Sequence, residues 1–147
     1  MTESDFWGLI NMLDWDMAGD DEAVVGPLVD VLSQKGEEEI FSFEEILSEK
    51  LYQLDAEKYA VKRNIFGMKK REYISADDFL YTRCVVVANG EEFYEEVMQN
   101  PRRFPHDLEF EMLLVVSNLA YTRRTGKIWE YIPKINYETY SNENGWK

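Results

Sequence analysis

Residues 75–97 read SADDFLYTRCVVVANGEEFYEEV, and the fold class turns on how this stretch is taken. Ser75 and Asp78 have the S-x-x-D spacing of a capping box. In that motif the serine oxygen accepts from an early backbone N–H, and the acid reaches back to the N-cap amide. Asp77 adds negative charge near the positive end of the helix dipole, and the set is worth about 1–2 kcal/mol of helix stability. Val85–Val87 has strand propensity, yet its neighbours keep helical spacing. Asn89-Gly90 offers a left-handed turn, after which Glu91, Glu92, Glu95 and Glu96 fall on the first turns of a second helix. The stretch therefore reads as helix, turn, helix, with its acids as punctuation. As a catalytic pair, Asp77 and Asp78 would need a further base or a divalent metal.

Working outward, the same periodicity recurs. In residues 2–17, Thr2 and Asp5 form a capping box, and Phe6, Leu9, Ile10, Leu13 and Met17 make an apolar stripe flanked by Trp7 and Trp15, with a stop expected at Gly19. Asp20 or Asp21 caps a second helix with Val24, Val25, Leu28, Val31 and Leu32 on its apolar face. Pro27 marks a kink in it or a later start near Gly26, and Lys35-Gly36 gives its stop. In residues 37–54 the acids fill the first turn, and Ile40, Phe43, Ile46 or Leu47, Leu51 and Leu54 form the stripe. A basic piece with Tyr59, Val61, Ile65 and Phe66 ends at Gly67, and residues 68–74 form a connector. Residues 105–126 read as one long helix: Pro105 in its first turn, Leu108, Met112, Val115, Val116 and Leu119 buried, Arg123 and Arg124 late, Gly126 as the stop. The aromatic, irregular tail after Gly126 is expected to pack across the helices and to fray after Ser141. The expectation is an all-α, single compact domain spanning residues 1–147, with five or six helices.

The chain has 147 residues, 45% of them hydrophobic and 14% aromatic, which argues for a buried core rather than disorder. Cys84 is the one cysteine, so no internal disulfide forms, as suits a reducing cytosol. No signal peptide is visible, and no apolar run approaches the roughly 20 residues of a membrane helix, so a cytoplasmic protein is expected. The net charge of −13 is unevenly placed. Residues 1–57 hold sixteen acids against two bases, and the remainder is close to neutral. Such a field repels nucleic acid and anionic membranes and attracts basic partners.

Few residues suggest chemistry. His106 is the lone histidine, which excludes a histidine-based metal cluster, and it reads as a surface residue. Cys84 reads as a small buried hydrophobe. Arg83 falls on the apolar side of its helix. Buried, it would need a carboxylate; the preferred reading lays its stem on the core edge with its head in water. No phosphate-binding, dinucleotide-binding, zinc-protease or nucleophile-elbow motif is present, and the acids of DWDMAGDDE miss the spacing of a calcium loop. No cofactor and no metal are expected.

Three stretches together carry a resemblance: S-D-F-W-x-L-I at 4–10; S-x-D-D-F-x-Y-x-R at 75–83 with Gly90, Glu92, Tyr94 and Pro101 behind it; and L-A-Y-x-x-x-T-G at 119–126. They resemble a family of small bacterial all-α proteins known only as a domain of unknown function, with residues 35–70 departing from the pattern. The resemblance implies small cytosolic proteins with no established catalytic residues to carry over, some of them similar to the immunity partners of LXG-type polymorphic toxins, whose secreted toxins often end in a nuclease domain. An immunity protein of this kind binds a cognate protein toxin, and the acids Asp20, Asp21, Glu22, Glu37, Glu38, Glu39, Glu44 and Glu45 are the candidate partner-binding residues. Two other readings stand beside it: a protein-interaction or regulatory domain whose acidity serves solubility, and an enzyme using paired carboxylates with a metal.

Overall fold

Helix α5, Ala76–Ala88, buries nine side chains distributed around its whole circumference, and a helix apolar on every side belongs in the middle of a protein. The computed structural model, which describes residues 1–62 and 72–147, puts it there. α5 packs on α3 (Glu37–Gln53) and α6 (Glu91–Gln99), while α2 (Asp21–Ser33) and α3 both lie against α7 (Val116–Thr125). α1 (Glu3–Ile10) covers α2 and α3, and α4 (Glu57–Ala60) is a single turn. The described residues thus contain seven α-helices rather than five or six. A minimal antiparallel ladder pairs β1, Val61–Lys62, with β2, Glu72–Tyr73. The expectation for Ile65, Phe66 and Gly67 lies outside the described residues.

The local start signals act as read. Thr2 and Asp5 bond reciprocally at α1, Asp20 accepts from the Ala23 amide at α2, and Ser75 accepts from the Asp78 amide at α5. Gly90 turns the chain into α6 with φ of 97°, a region that an L side chain rarely adopts. Val85–Val87 is helical because burial on both faces outweighs β-branching.

Other expectations fail where a distant group intervenes. α1 ends at Ile10, not at Gly19. Asp14 binds the Asp16 amide and donates its own amide to the Val24 carbonyl, which folds residues 11–19 into a loop with a 3₁₀ turn and leaves Met17 in solvent. Gly36 does not stop α2 with a left-handed cap; it sits at φ −66° as the N-cap of α3. The helix expected over 105–126 begins only at Val116, after a 3₁₀ stretch over Glu111–Val115. The cause is α5: the Thr82 hydroxyl donates to the Leu108 carbonyl at 2.7 Å, and the Phe110 amide donates to the Tyr81 carbonyl at 3.0 Å. These bonds hold residues 108–110 out of the helix, so Phe110, Leu113, Val116 and Ala120 are buried while Leu108, Val115 and Leu119 face outward. His106 is half-buried, its Nε2 3.0 Å from the Tyr59 carbonyl and its ring edge-on to Phe104.

Arg83 is fully buried, contrary to the solvent-facing reading, and it is held by carbonyls rather than a carboxylate. Nη1 donates to Leu51 O and Tyr137 O and Nη2 to Thr139 Oγ1, each at 2.9 Å, with the guanidinium over the Phe79 ring. Burial pulls its pKa down, and the charge of Asp55 pushes it back up. Asp55, also fully buried, accepts from the amides of Tyr140 and Asn142 and from Trp146 Nε1. Tyr140 takes a left-handed φ of 78° to aim those amides. The tail therefore does not fray after Ser141; its last turn, Glu143–Trp146, is pinned. Gly145 lies so close to α4's approach that an added Cβ would stand 2.4 Å from the Asp55 carbonyl oxygen. Gly145→Ala is expected to cost more than about 1 kcal/mol through this overlap, seen as a lowered thermal midpoint and increased solvent exposure of Trp146 in fluorescence.

Candidate functional site

The eight candidate acids separate into groups with different fates. Asp20, Asp21 and Glu22 are exposed around the start of α2. Glu37 and Glu38 are exposed on the first turn of α3, and Glu39, half-buried beside them, pairs with the N-terminal ammonium at 3.6 Å. α2 separates these two clusters. Its 13 residues, at 1.5 Å rise each, span about 20 Å, so the clusters sit towards opposite ends of that helix.

Glu44 and Glu45 are not part of the open surface. Glu45 accepts from the Tyr131 hydroxyl and from the Lys134 amide at 3.1 Å, holding the tail against α3. Tyr131 stacks on Phe41 at 4.3 Å, with Trp129 and Tyr121 beside it. The hydrogen bond to the Glu45 carboxylate raises the Tyr131 phenol to about 12. Glu44 is buried at the interface of α3 and α7 near Ser117. Its pKa is raised, first by burial and then by the like charge of Glu45, with the Ser117 hydroxyl opposing. The neighbouring Tyr137 phenol is pushed up to about 12, chiefly by burial.

A carboxylate pair does exist around α5, but it is not the adjacent pair in the sequence. Exposed Glu109 lies beside Asp78, and the proximity of that carboxylate raises the Glu109 pKa. The expected capping box at α5 is only half formed: Ser75 accepts from the Asp78 amide without a return bond from the Asp78 side chain. The pairing of Asp78 with Glu109 is legible only once Thr82 has drawn residues 108–110 against α5. Among the described residues no group of three or more His, Cys, Asp or Glu is arranged to hold a metal ion. Cys84 is fully buried, and burial raises its thiol pKa.

The stripe reading of the first helix concealed one surface feature. Residues 11–22 form a loop and helix start carrying Asp14, Asp16, Asp20, Asp21 and Glu22. The same stretch exposes three large apolar side chains, Met12 at 41%, Trp15 at 42% and Met17 at 45%. The loop is held by the Asp14 and Asp20 hydrogen bonds and by Trp15 packing on Phe110 at 5.3 Å. The run of five acids without a base was the available signal, but the helical period places Met17 in the apolar stripe and Trp15 at its flank.

These features define a small all-α protein with an acidic, apolar-studded surface on its N-terminal half. Residues 1–123 match a family model described as "Protein of unknown function (DUF4240)", and the chain belongs to that family. No curated protein and no solved structure matches it. The pinned tail lies beyond the matched stretch. No helix among the described residues is long and apolar enough to cross a membrane.

The buried Glu44 generates a pH dependence. A carboxyl whose folded pKa lies above its ordinary 4.5 favours folding below that ordinary value, and the favour is lost as pH rises through the folded pKa. Glu44→Gln is expected to raise the thermal midpoint at pH 7–8 relative to the parent chain, with the gain shrinking towards zero near pH 4; melting curves across that range measure it.

Proposed function

We propose that this DUF4240 protein is a non-catalytic immunity protein: it binds a cognate secreted toxin, most readily a basic nuclease domain, and neutralises it through its acidic surface. The observation that carries this reading is the exposed, one-signed charge of the N-terminal half. The first Lys or Arg in the chain is Lys35, after eight acids. Asp21, Glu22, Glu37 and Glu38 have no ion-pair partner among the described residues. A nuclease site is basic because it must hold phosphates. An acidic surface on a rigid helical scaffold competes for the same positive groups and accelerates encounter by electrostatic steering. Nothing in this role asks the protein to make or break a bond, and the buried Arg83, Asp55 and Glu44 are engaged in the interior rather than offered to a substrate.

A second reading has its own support. Acids divided between the two ends of α2 are also what a surface evolved only for solubility would show. Charge reversal separates the two. Asp20 is left in place because it caps α2, and Asp21→Lys/Glu22→Lys and Glu37→Lys/Glu38→Lys are compared for binding to the toxin domain encoded by the adjacent reading frame. The expected result is at least one double variant with about tenfold slower association and a flatter salt dependence. Unchanged, salt-insensitive binding by both would assign the acidity to solubility and end the immunity reading in this form.

A further inference from the structure

We propose that Met12, Trp15 and Met17 form the apolar centre of the docking surface, and that they receive an apolar side chain flanked by Lys or Arg on the protein partner. The inference rests on the acidic-surface reading above. It narrows that reading to the loop before α2 rather than the start of α3.

Three large apolar groups within six residues stay more than two-fifths exposed in a loop whose backbone is tied down. The Asp14 amide reaches the Val24 carbonyl at 2.9 Å, the Asp14 and Asp20 carboxylates cap the following turns, and Gly19 takes φ of 103°. Their exposure is therefore built into the loop. Trp is enriched at interface hot spots, and Met adapts its shape to irregular partners. The flanking charge decides the occupant. Asp14, Asp16, Asp20, Asp21 and Glu22 follow Met12 and flank Trp15 and Met17 in sequence, and no base occurs before Lys35. This field rejects an anionic lipid surface and nucleic acid, and a second copy of the same acidic loop would be repelled. A cationic protein segment with an apolar residue among its bases fits both components. The start of α3 offers no such group beside Glu37 and Glu38: Ile40 is buried and Phe41 is stacked on the tail.

The test uses the full-length chain with isotope-labelled methionine methyls and backbone amides, and two synthetic peptides of equal charge, oligolysine and a peptide alternating lysine with leucine. Trp15 is retained because it packs on Phe110, and Met12→Ser/Met17→Ser is the variant. The alternating peptide is expected to bind about tenfold more tightly than oligolysine and to shift the Met12 and Met17 methyls. The variant, with its thermal midpoint unchanged, should lose that tenfold gain and keep its oligolysine affinity. If oligolysine shifts the Asp21 and Glu22 amides but leucine adds nothing, or if the gain survives in the variant, this inference is overturned while the acidic-surface reading stands. If neither peptide moves those amides, both fall.

Discussion

The C-terminal end of α3 is the point on which the structure depends. A helix ends with carbonyls that have no partner within it, and buried ones must find donors elsewhere. Here the donors come from three separate elements. Tyr94 of α6 donates to the Lys50 carbonyl, Arg83 of α5 to that of Leu51, and Asn142 of the tail to that of Tyr52. Asp55 then follows as a buried charge and collects the tail's own amides. The Leu54 and Asp55 amides already reach the Leu51 and Tyr52 carbonyls, so Arg83 and Asn142 are second donors there; the bonds also give the buried Arg83 guanidinium the partners without which its burial would cost several kcal/mol. The same bonds fix where α5, α6 and the tail stand relative to α3.

That arrangement explains which parts of the fold could be read in advance. Thr2, Asp20 and Ser75 each bond to the amide three positions on, so their roles follow from spacing alone. The interior of α3 follows from an apolar period, and that of α5 from an apolar run between its Ser75 cap and the Asn89-Gly90 turn. The misread segments all involve partners far apart in sequence. Thr82 diverts residues 108–110, which by pattern belong to a helix. The sequence assigns Arg83 to solvent because a buried guanidinium is expected to need a carboxylate, whereas its acceptors are carbonyls from α3 and the tail and the Thr139 hydroxyl. Gly145, in a tail composition that suggests fraying, is the residue that lets the backbone close on Asp55.

The candidate site divides along the same line. A one-dimensional count of acids overstates the open surface, because Glu44 lies in the α3–α7 interface and Glu45 anchors Tyr131. The count also misses what lies between the acids. A helical period assigns Met17 to the core and leaves Trp15 at its flank, and only the Asp14–Val24 bond reveals that the helix has already ended. The surface left for a partner is smaller than the list of acids and chemically more mixed, combining long-range attraction with short-range apolar contact. These contribute differently to recognition: charge governs how fast partners meet, and buried apolar area governs how slowly they part.

The engagement of Arg83 and Asp55 with residues 137–146 bears on how the molecule is made. During synthesis both charged side chains emerge from the ribosome well before residues 137–146, which supply most of their hydrogen-bond partners. A nascent chain complete through α7 carries most of the apolar material of the core but leaves Arg83 with the Leu51 carbonyl alone and Asp55 without its Tyr140, Asn142 and Trp146 donors. The interior around these two ions is therefore complete only once residues 137–146 have been added, rather than when the last long helix appears.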